Sequence, residues 1–154
     1  MKTAILGGGS WGITLAAHLS RGPHEVRLWE FDPKRAERLQ KDRMDTVILP
    51  GVTLPENVLV TPIMEEALMD TEAVVLVVPS HTFRATAKKA ALCWPTNAIS
   101  IVATKGLEEE TLKRMDEVLE ECLPLGSPVV VLSGPSHAEE VARFQPTALV
   151  AASK

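Results

Sequence analysis

The residues most able to do chemistry stand close to the N-terminus. Gly7-Gly8-Gly9-Ser10-Trp11-Gly12 matches the pattern G-x-G-x-x-G. Alone the pattern is weak, but here it follows a β-type run and opens a helical one, which is the context a dinucleotide pyrophosphate needs. Gly7 permits the tight turn, Gly9 lets backbone approach the phosphates, and Gly12 allows the helix to pack closely on the strand. The helix start adds unpaired N–H groups and a partial positive charge. The plainer reading is a glycine-rich βα turn with no ligand.

Such a turn requires an acidic residue about twenty positions further on, at the end of the second strand, to hold the adenosine ribose. Glu30 follows Trp29 at that place. Its carboxylate accepts from ribose hydroxyls and repels a 2′-phosphate, which favours NAD over NADP. Asp32 competes for the role, but its place before Pro33 is explained by helix capping. Arg27 and Arg35 are cations that could meet a 2′-phosphate, so NADP stays open.

Three further residues fall just past strand ends: Pro79, Lys105 and Gly134. Ligands of open α/β sheets bind along that edge. Lys105, on a Lys-Gly turn, could stabilise a carbonyl, alkoxide or phosphate, although a lone loop lysine is ordinarily a solvated charge. Gly134-Pro135-Ser136 leads into a helix and can offer N–H groups to an anion, or Ser136 simply caps that helix.

The elements that must position these residues alternate between β and α, the signature of a doubly wound, mostly parallel Rossmann-type sheet with helices on both faces. Strands are expected at Thr3–Leu6, Glu25–Trp29, Val58–Val60, Ala73–Val78, Ile99–Ala103, Val129–Leu132 and Thr147–Ala151. Helices are expected at Trp11–Ser20, Pro33–Lys41, Pro62–Met69 with Thr61 as cap, Thr82–Leu92, Glu108–Cys122 and His137–Ala142. The Glu108–Cys122 helix would carry Leu112, Met115, Val118, Leu119 and Cys122 on one face. Ser136 and Glu139 have the spacing of a capping box. The six apolar residues of Ala73–Val78 fit a strand buried on both sides.

The 154 residues suit one dinucleotide-binding domain, with 45% hydrophobic and 23% charged residues. A formal net charge of −4 and the lack of a basic block give no support to nucleic-acid binding. No apolar stretch is long enough to span a bilayer as a helix. Cys93 and Cys122 show no metal spacing and read as buried thiols in a reducing, cytoplasmic setting.

Gly7 to Gly12, then Leu28-Trp29, Val77-Val78-Pro79-Ser80-His81, Ala103-Thr104-Lys105-Gly106-Leu107 and Ser133-Gly134-Pro135-Ser136, with Ala138 and Glu140-Val141 beyond, closely resemble the N-terminal domain of NAD(P)-dependent glycerol-3-phosphate dehydrogenase. The resemblance runs from about Lys2 to Ser153. It implies an oxidoreductase that interconverts glycerol 3-phosphate and dihydroxyacetone phosphate by hydride transfer. It further implies that Ser10 and Trp11 touch the cofactor, that Phe31 meets the adenine, and that Pro79 and Phe83 line the cofactor cleft. Lys105 would face nicotinamide and substrate, Gly134 and Ser136 the substrate, and Ala138 the cofactor. With Glu30 and Phe31 present, NAD is favoured over NADP.

The family's helical C-terminal domain, which supplies the principal acid/base lysine and the phosphate contacts, has no counterpart here. The resemblance therefore implies a chain that binds cofactor but turns over little substrate, with plain roles for His81 and His137 and a homodimer for the longer protein. Two alternatives remain: the cofactor domain of a related β-hydroxyacid dehydrogenase or ketopantoate reductase, and a stand-alone NAD(H)-sensing module.

Overall fold

The computed structural model describes residues 1–124 and 126–153. Seven strands form one sheet: β1 (Lys2–Leu6), β2 (Glu25–Trp29), β3 (Val58–Thr61), β4 (Ala73–Leu76), β5 (Ile99–Val102), β6 (Val129–Ser133) and β7 (Val150–Ser153). Their order is β3-β2-β1-β4-β5-β6-β7. The first six pair in parallel, and β7 runs antiparallel to β6. The order reverses between β1 and β4, so the loops leaving these two strands diverge to opposite faces and open a crevice at their carboxyl ends.

Alternating side chains of the central strands feed two apolar layers. Leu6, Leu76, Phe83 and Leu119 belong to one, with α3 (Met64–Leu68), α4 (Ser80–Ala91) and α5 (Met115–Cys122). Ile5, Ile13, Leu28 and Leu39 belong to the other, under α1 (Ser10–Leu19) and α2 (Pro33–Asp42). A sheet covered on both faces explains why β4 reads as unbroken apolar sequence. Each fully buried Leu, Ile or Phe contributes roughly 1.5–3 kcal/mol of transfer free energy.

Local chemistry sets several boundaries. The Asp32 side chain accepts from the amides of Lys34 and Arg35 at 2.9 and 3.1 Å, with Pro33 opening α2. At the end of α1 the Gly22 amide bonds the Leu19 carbonyl at 3.1 Å.

Five expectations need correction. The helix expected over Glu108–Cys122 starts only at Met115. Residues before it form a tight loop, closed by the Glu108 amide on the Lys113 carbonyl at 2.9 Å and turned by Leu112 at φ 57°. Leu112 is consequently exposed, whereas Met115, Val118 and Leu119 are buried. The Ser136–Glu139 capping box does not form: α6 (Ala138–Ala142) begins after His137 with no side-chain cap. Thr61 acts one turn early, accepting from the Ile63 amide at 3.1 Å while α3 starts at Met64. The strand expected to Val78 ends at Leu76: the Val77 amide makes a last bond to the end of β1, at the Leu6 carbonyl (3.0 Å), and Val77 and Val78 line the crevice. The last strand begins at Val150 rather than Thr147, since pairing with β6 sets its register.

Candidate dinucleotide site

The glycine turn is built by close approach. Gly7 has φ 129°, its amide bonds the Trp29 carbonyl at 3.1 Å, and a Cβ on it would lie 3.0 Å from the Val77 carbonyl oxygen. A Cβ on Gly12 would overlap the carbonyl oxygen of Gly7, so only glycine lets α1 sit this close to the end of β1. Gly9 differs: a Cβ there would meet nothing within 4 Å, because it borders open space. Gly9 is the N-cap of α1 and gives no side-chain cap bond, and no acidic residue stands in the first turn. The helix start thus faces the crevice with no carboxylate of its own to answer its partial positive charge.

The crevice is a cavity of about 850 Å³ bordered by Gly7, Gly9, Ser10 and Trp11 on one side and by Pro79 and Lys105 on another. Ser136 and Ala138 border it as well. That volume is within the range of cofactor pockets. Glu30 and Phe31 also line it, Phe31 at 74% exposure and Glu30 at 1%. Ten of the thirteen residues expected at the site therefore share one cavity. Gly12 lies behind it, in the packing role expected of it. Phe83 does not line the cavity. It is fully buried in the layer shared with Leu76 and Leu119, because the phase of α4 points it into the sheet. Gly134 also stands back from the cavity wall: at φ 153° it packs where a Cβ would crowd the Ala148 carbonyl.

Lys105 reaches across to the loop after β6. Its ammonium donates to the carbonyls of Ser136 at 3.1 Å and Gly134 at 3.4 Å. Thr104 fastens the same turn to the end of β4, donating to the Val78 carbonyl at 2.8 Å. Thr14 on α1 donates to the Ala138 carbonyl at 3.1 Å, which holds the start of α6 over the glycine turn. Ser136 is buried, and its hydroxyl lies 3.5 Å from the Gly134 carbonyl. His81 and His137 border the cavity too.

Arg84 ties down the loop that follows Lys105. It makes a two-pronged bond to Glu108 at 2.7 and 2.8 Å and a further bond to Glu121 at 2.8 Å. The Arg84 bonds, reinforced by Thr111, hold the Glu108 carboxyl down at about 2. Glu121 is lowered by its bonds from Lys113 and Arg84.

Arg35 has a larger part in the site than residue spacing alone implies. Its guanidinium bonds the Glu30 carboxylate and the Gly8 carbonyl, and reaches Asp45 at 2.9–3.0 Å. Burial resists ionisation of Asp45, yet bonds from the Ile48 amide, Arg35 and the Val47 amide outweigh it and lower its pKa. Arg27 lies elsewhere, bonded to the carbonyls of Glu66 and Met69 at 2.8 Å. The available signal for Arg35 was its position one turn into the capped helix after Glu30. Cys93 and Cys122 are unpaired and half-buried, and burial raises both thiols. Among the described residues, no helix is long and apolar enough to cross a membrane, and no three His, Cys, Asp or Glu side chains gather as a metal would require.

Comparison with known proteins agrees with this geometry. The chain is 42% identical over 151 residues to a glycerol-3-phosphate dehydrogenase (NAD(P)+) of Fusobacterium nucleatum, covering 97% of this chain and 45% of that protein. It is 45% identical over 155 residues to one of Chlorobium phaeobacteroides, covering 99% and 46%. The chain thus spans somewhat under half the length of these relatives. Among solved structures, glycerol-3-phosphate dehydrogenase of Coxiella burnetii superposes with a TM-score of 0.91 at 32% identity, over 99% of this chain and 46% of that one. A ketopantoate reductase of Ralstonia eutropha, at 20% identity and a TM-score of 0.68, shares the fold alone. The model of the family described as NAD-dependent glycerol-3-phosphate dehydrogenase N-terminus matches residues 2–154, and to that family this chain belongs.

Proposed function

We propose that this chain is the cofactor-holding part of an oxidoreductase that interconverts glycerol 3-phosphate and dihydroxyacetone phosphate with NAD(P), and that it favours NAD. The observation that carries the reading is the cavity between the ends of β1 and β4, with the glycine turn on one wall and Lys105 on another. The residues fit such a cofactor: Gly9 borders empty space where a Cβ would otherwise stand, and the first turn of α1 contains no acidic residue. When bound, the nicotinamide supplies or accepts a hydride.

The chain's own residues divide the work. Gly9, Ser10 and Trp11 at the start of α1 hold the pyrophosphate through backbone amides, in the tight turn that Gly7 makes while its own amide stays bonded to the Trp29 carbonyl. Glu30 accepts from the ribose, Phe31 offers an exposed ring for adenine, and Pro79 and Ala138 wall the cleft. Lys105 stands at the edge toward Gly134 and Ser136, where its ammonium can oppose negative charge on a bound carbonyl or phosphate oxygen. Gly12 and Phe83 support the site from behind.

The principal acid/base and the remaining phosphate contacts belong, on this reading, to the segment that follows in the longer relatives. General acid–base catalysis is worth about a hundred- to ten-thousand-fold, so this chain by itself binds dinucleotide but turns over little substrate. The longer protein is read as a cytoplasmic homodimer, and the two unpaired cysteines are in keeping with a reducing setting.

Calorimetric titration of the chain with NADH and NADPH tests the cofactor assignment. Saturable NADH binding, tighter than NADPH, is expected, and absence of binding by either overturns the assignment. Dihydroxyacetone phosphate reduction by the chain carrying its C-terminal continuation tests the reaction.

A further inference from the structure

Buried Glu30 and half-buried Arg35 form an ion pair at the ribose end of the cavity. The side chains are 2% and 16% exposed, respectively, and both residues line the cavity. One Glu30 oxygen accepts from Arg35 Nη1, and the other accepts from the Asp32 amide at 3.0 Å. Nη2 serves the Gly8 carbonyl and, together with Nε, the Asp45 carboxylate. Gly8 belongs to the glycine turn, and a Cβ there would collide with Glu30. The pair is therefore packed directly against the loop expected to hold the pyrophosphate.

The charges of this cluster decide what it can accept. Glu30, Arg35 and Asp45 together carry one net negative charge. A ribose hydroxyl can still donate to the unused lone pairs of Glu30, because a carboxylate has about four acceptor sites. A 2′-phosphate would bring further negative charge to a cluster whose own cation, Arg35, is already paired. Lys89 lines the same cavity but stands 5.5 Å over the Trp29 ring, whose side chain belongs to the layer of the sheet opposite the one under α2.

We propose that Arg35 is a specificity-determining residue, a latent 2′-phosphate-binding guanidinium that Glu30 holds in check. Glu30 thus acts twice against NADP, through its own charge and by occupying Nη1 of Arg35. Removing its charge releases that donor at the cavity wall, while the bonds to Gly8 and Asp45 keep the guanidinium in place. The proposal rests on the cofactor reading above.

Calorimetric titration of the chain with NADH and NADPH, as Glu30→Gln and as the double variant Glu30→Gln with Arg35→Gln, tests it. A charge-assisted bond is worth about ten- to a hundredfold in affinity. Glu30→Gln is expected to shift the affinity ratio toward NADPH by at least about tenfold, and the added Arg35→Gln to remove most of that gain. Equal gains in single and double variants overturn the proposal, because repulsion by Glu30 alone would then set the preference. No change in the ratio overturns it as well. Glu30→Ser, checked for folding by its thermal transition, carries the same comparison if the glutamine variant does not fold. Failure of the unaltered chain to bind either dinucleotide is a separate outcome: it defeats the cofactor reading itself and, with it, this proposal.

Discussion

The carbonyl oxygen of Gly7 occupies the space into which a Cβ at Gly12 would project. This contact sets how closely α1 approaches the end of β1, and so where the helix N-terminus meets the cavity. Gly12→Ala must push the first turn of α1 away. Overpacking of this kind costs about 1–3 kcal/mol or more. A lower melting temperature and at least about tenfold weaker NADH binding are expected, read by thermal denaturation and calorimetry. Unchanged NADH affinity would show that the first turn of α1 does not hold the pyrophosphate.

Phe83 and Phe31 form a contrasting pair. Phe83 is fully buried, while Phe31 is largely exposed on the cavity rim. Phe83→Ala should destabilise by about 3–5 kcal/mol, seen in chemical denaturation. Phe31→Ala should leave stability within about 0.5 kcal/mol and weaken NADH binding. Reversal of the two outcomes would mean that the helix phase assigned to α4 is wrong.

Lys105 bridges the loops after β5 and β6 through the Ser136 and Gly134 carbonyls. In the chain carrying its continuation, Lys105→Met is expected to lower kcat for dihydroxyacetone phosphate reduction by about a hundredfold or more. NADH affinity, measured separately, should change far less. Loss of NADH binding equal to the loss of turnover would assign Lys105 to cofactor holding alone.

Glu108 titrates at about 2 under the hold of Arg84. A carboxylate whose folded-state pKa is depressed contributes stability above its ordinary value of 4.5, and that stability is lost as pH falls toward 2. The melting temperature of the unaltered chain should therefore exceed that of Glu108→Gln at pH 6. The gap should narrow below pH 4.5 and close near 2. The pair is partly exposed, so added salt should shrink the gap at pH 6. A gap independent of pH would mean that the substitution acts through packing rather than charge.

Much of the positioning machinery was legible in residue order. Alternating β and α patterns imply a parallel sheet because crossover connections demand it. The spacing of Gly7, Gly9 and Gly12 reports two close approaches and, between them, the open side of one turn, all local to six residues. Asp32-Pro33 announces the start of α2 through capping bonds that span three residues.

What the order of residues could not settle was what each side chain faces. Periodicity identifies an apolar face but not its neighbour, so Phe83 fell into the core rather than the cleft, and Leu112 left the helix face at a left-handed turn. The Glu30–Arg35–Asp45 cluster exists only because α2 and the loop beyond it fold back against the glycine turn. The contact between Lys105 and Ser136 joins positions thirty-one residues apart. Local rules act over a few bonds along the chain and could be read from composition and spacing. Partner choice among charges depends on distances through space, and only the folded chain sets those.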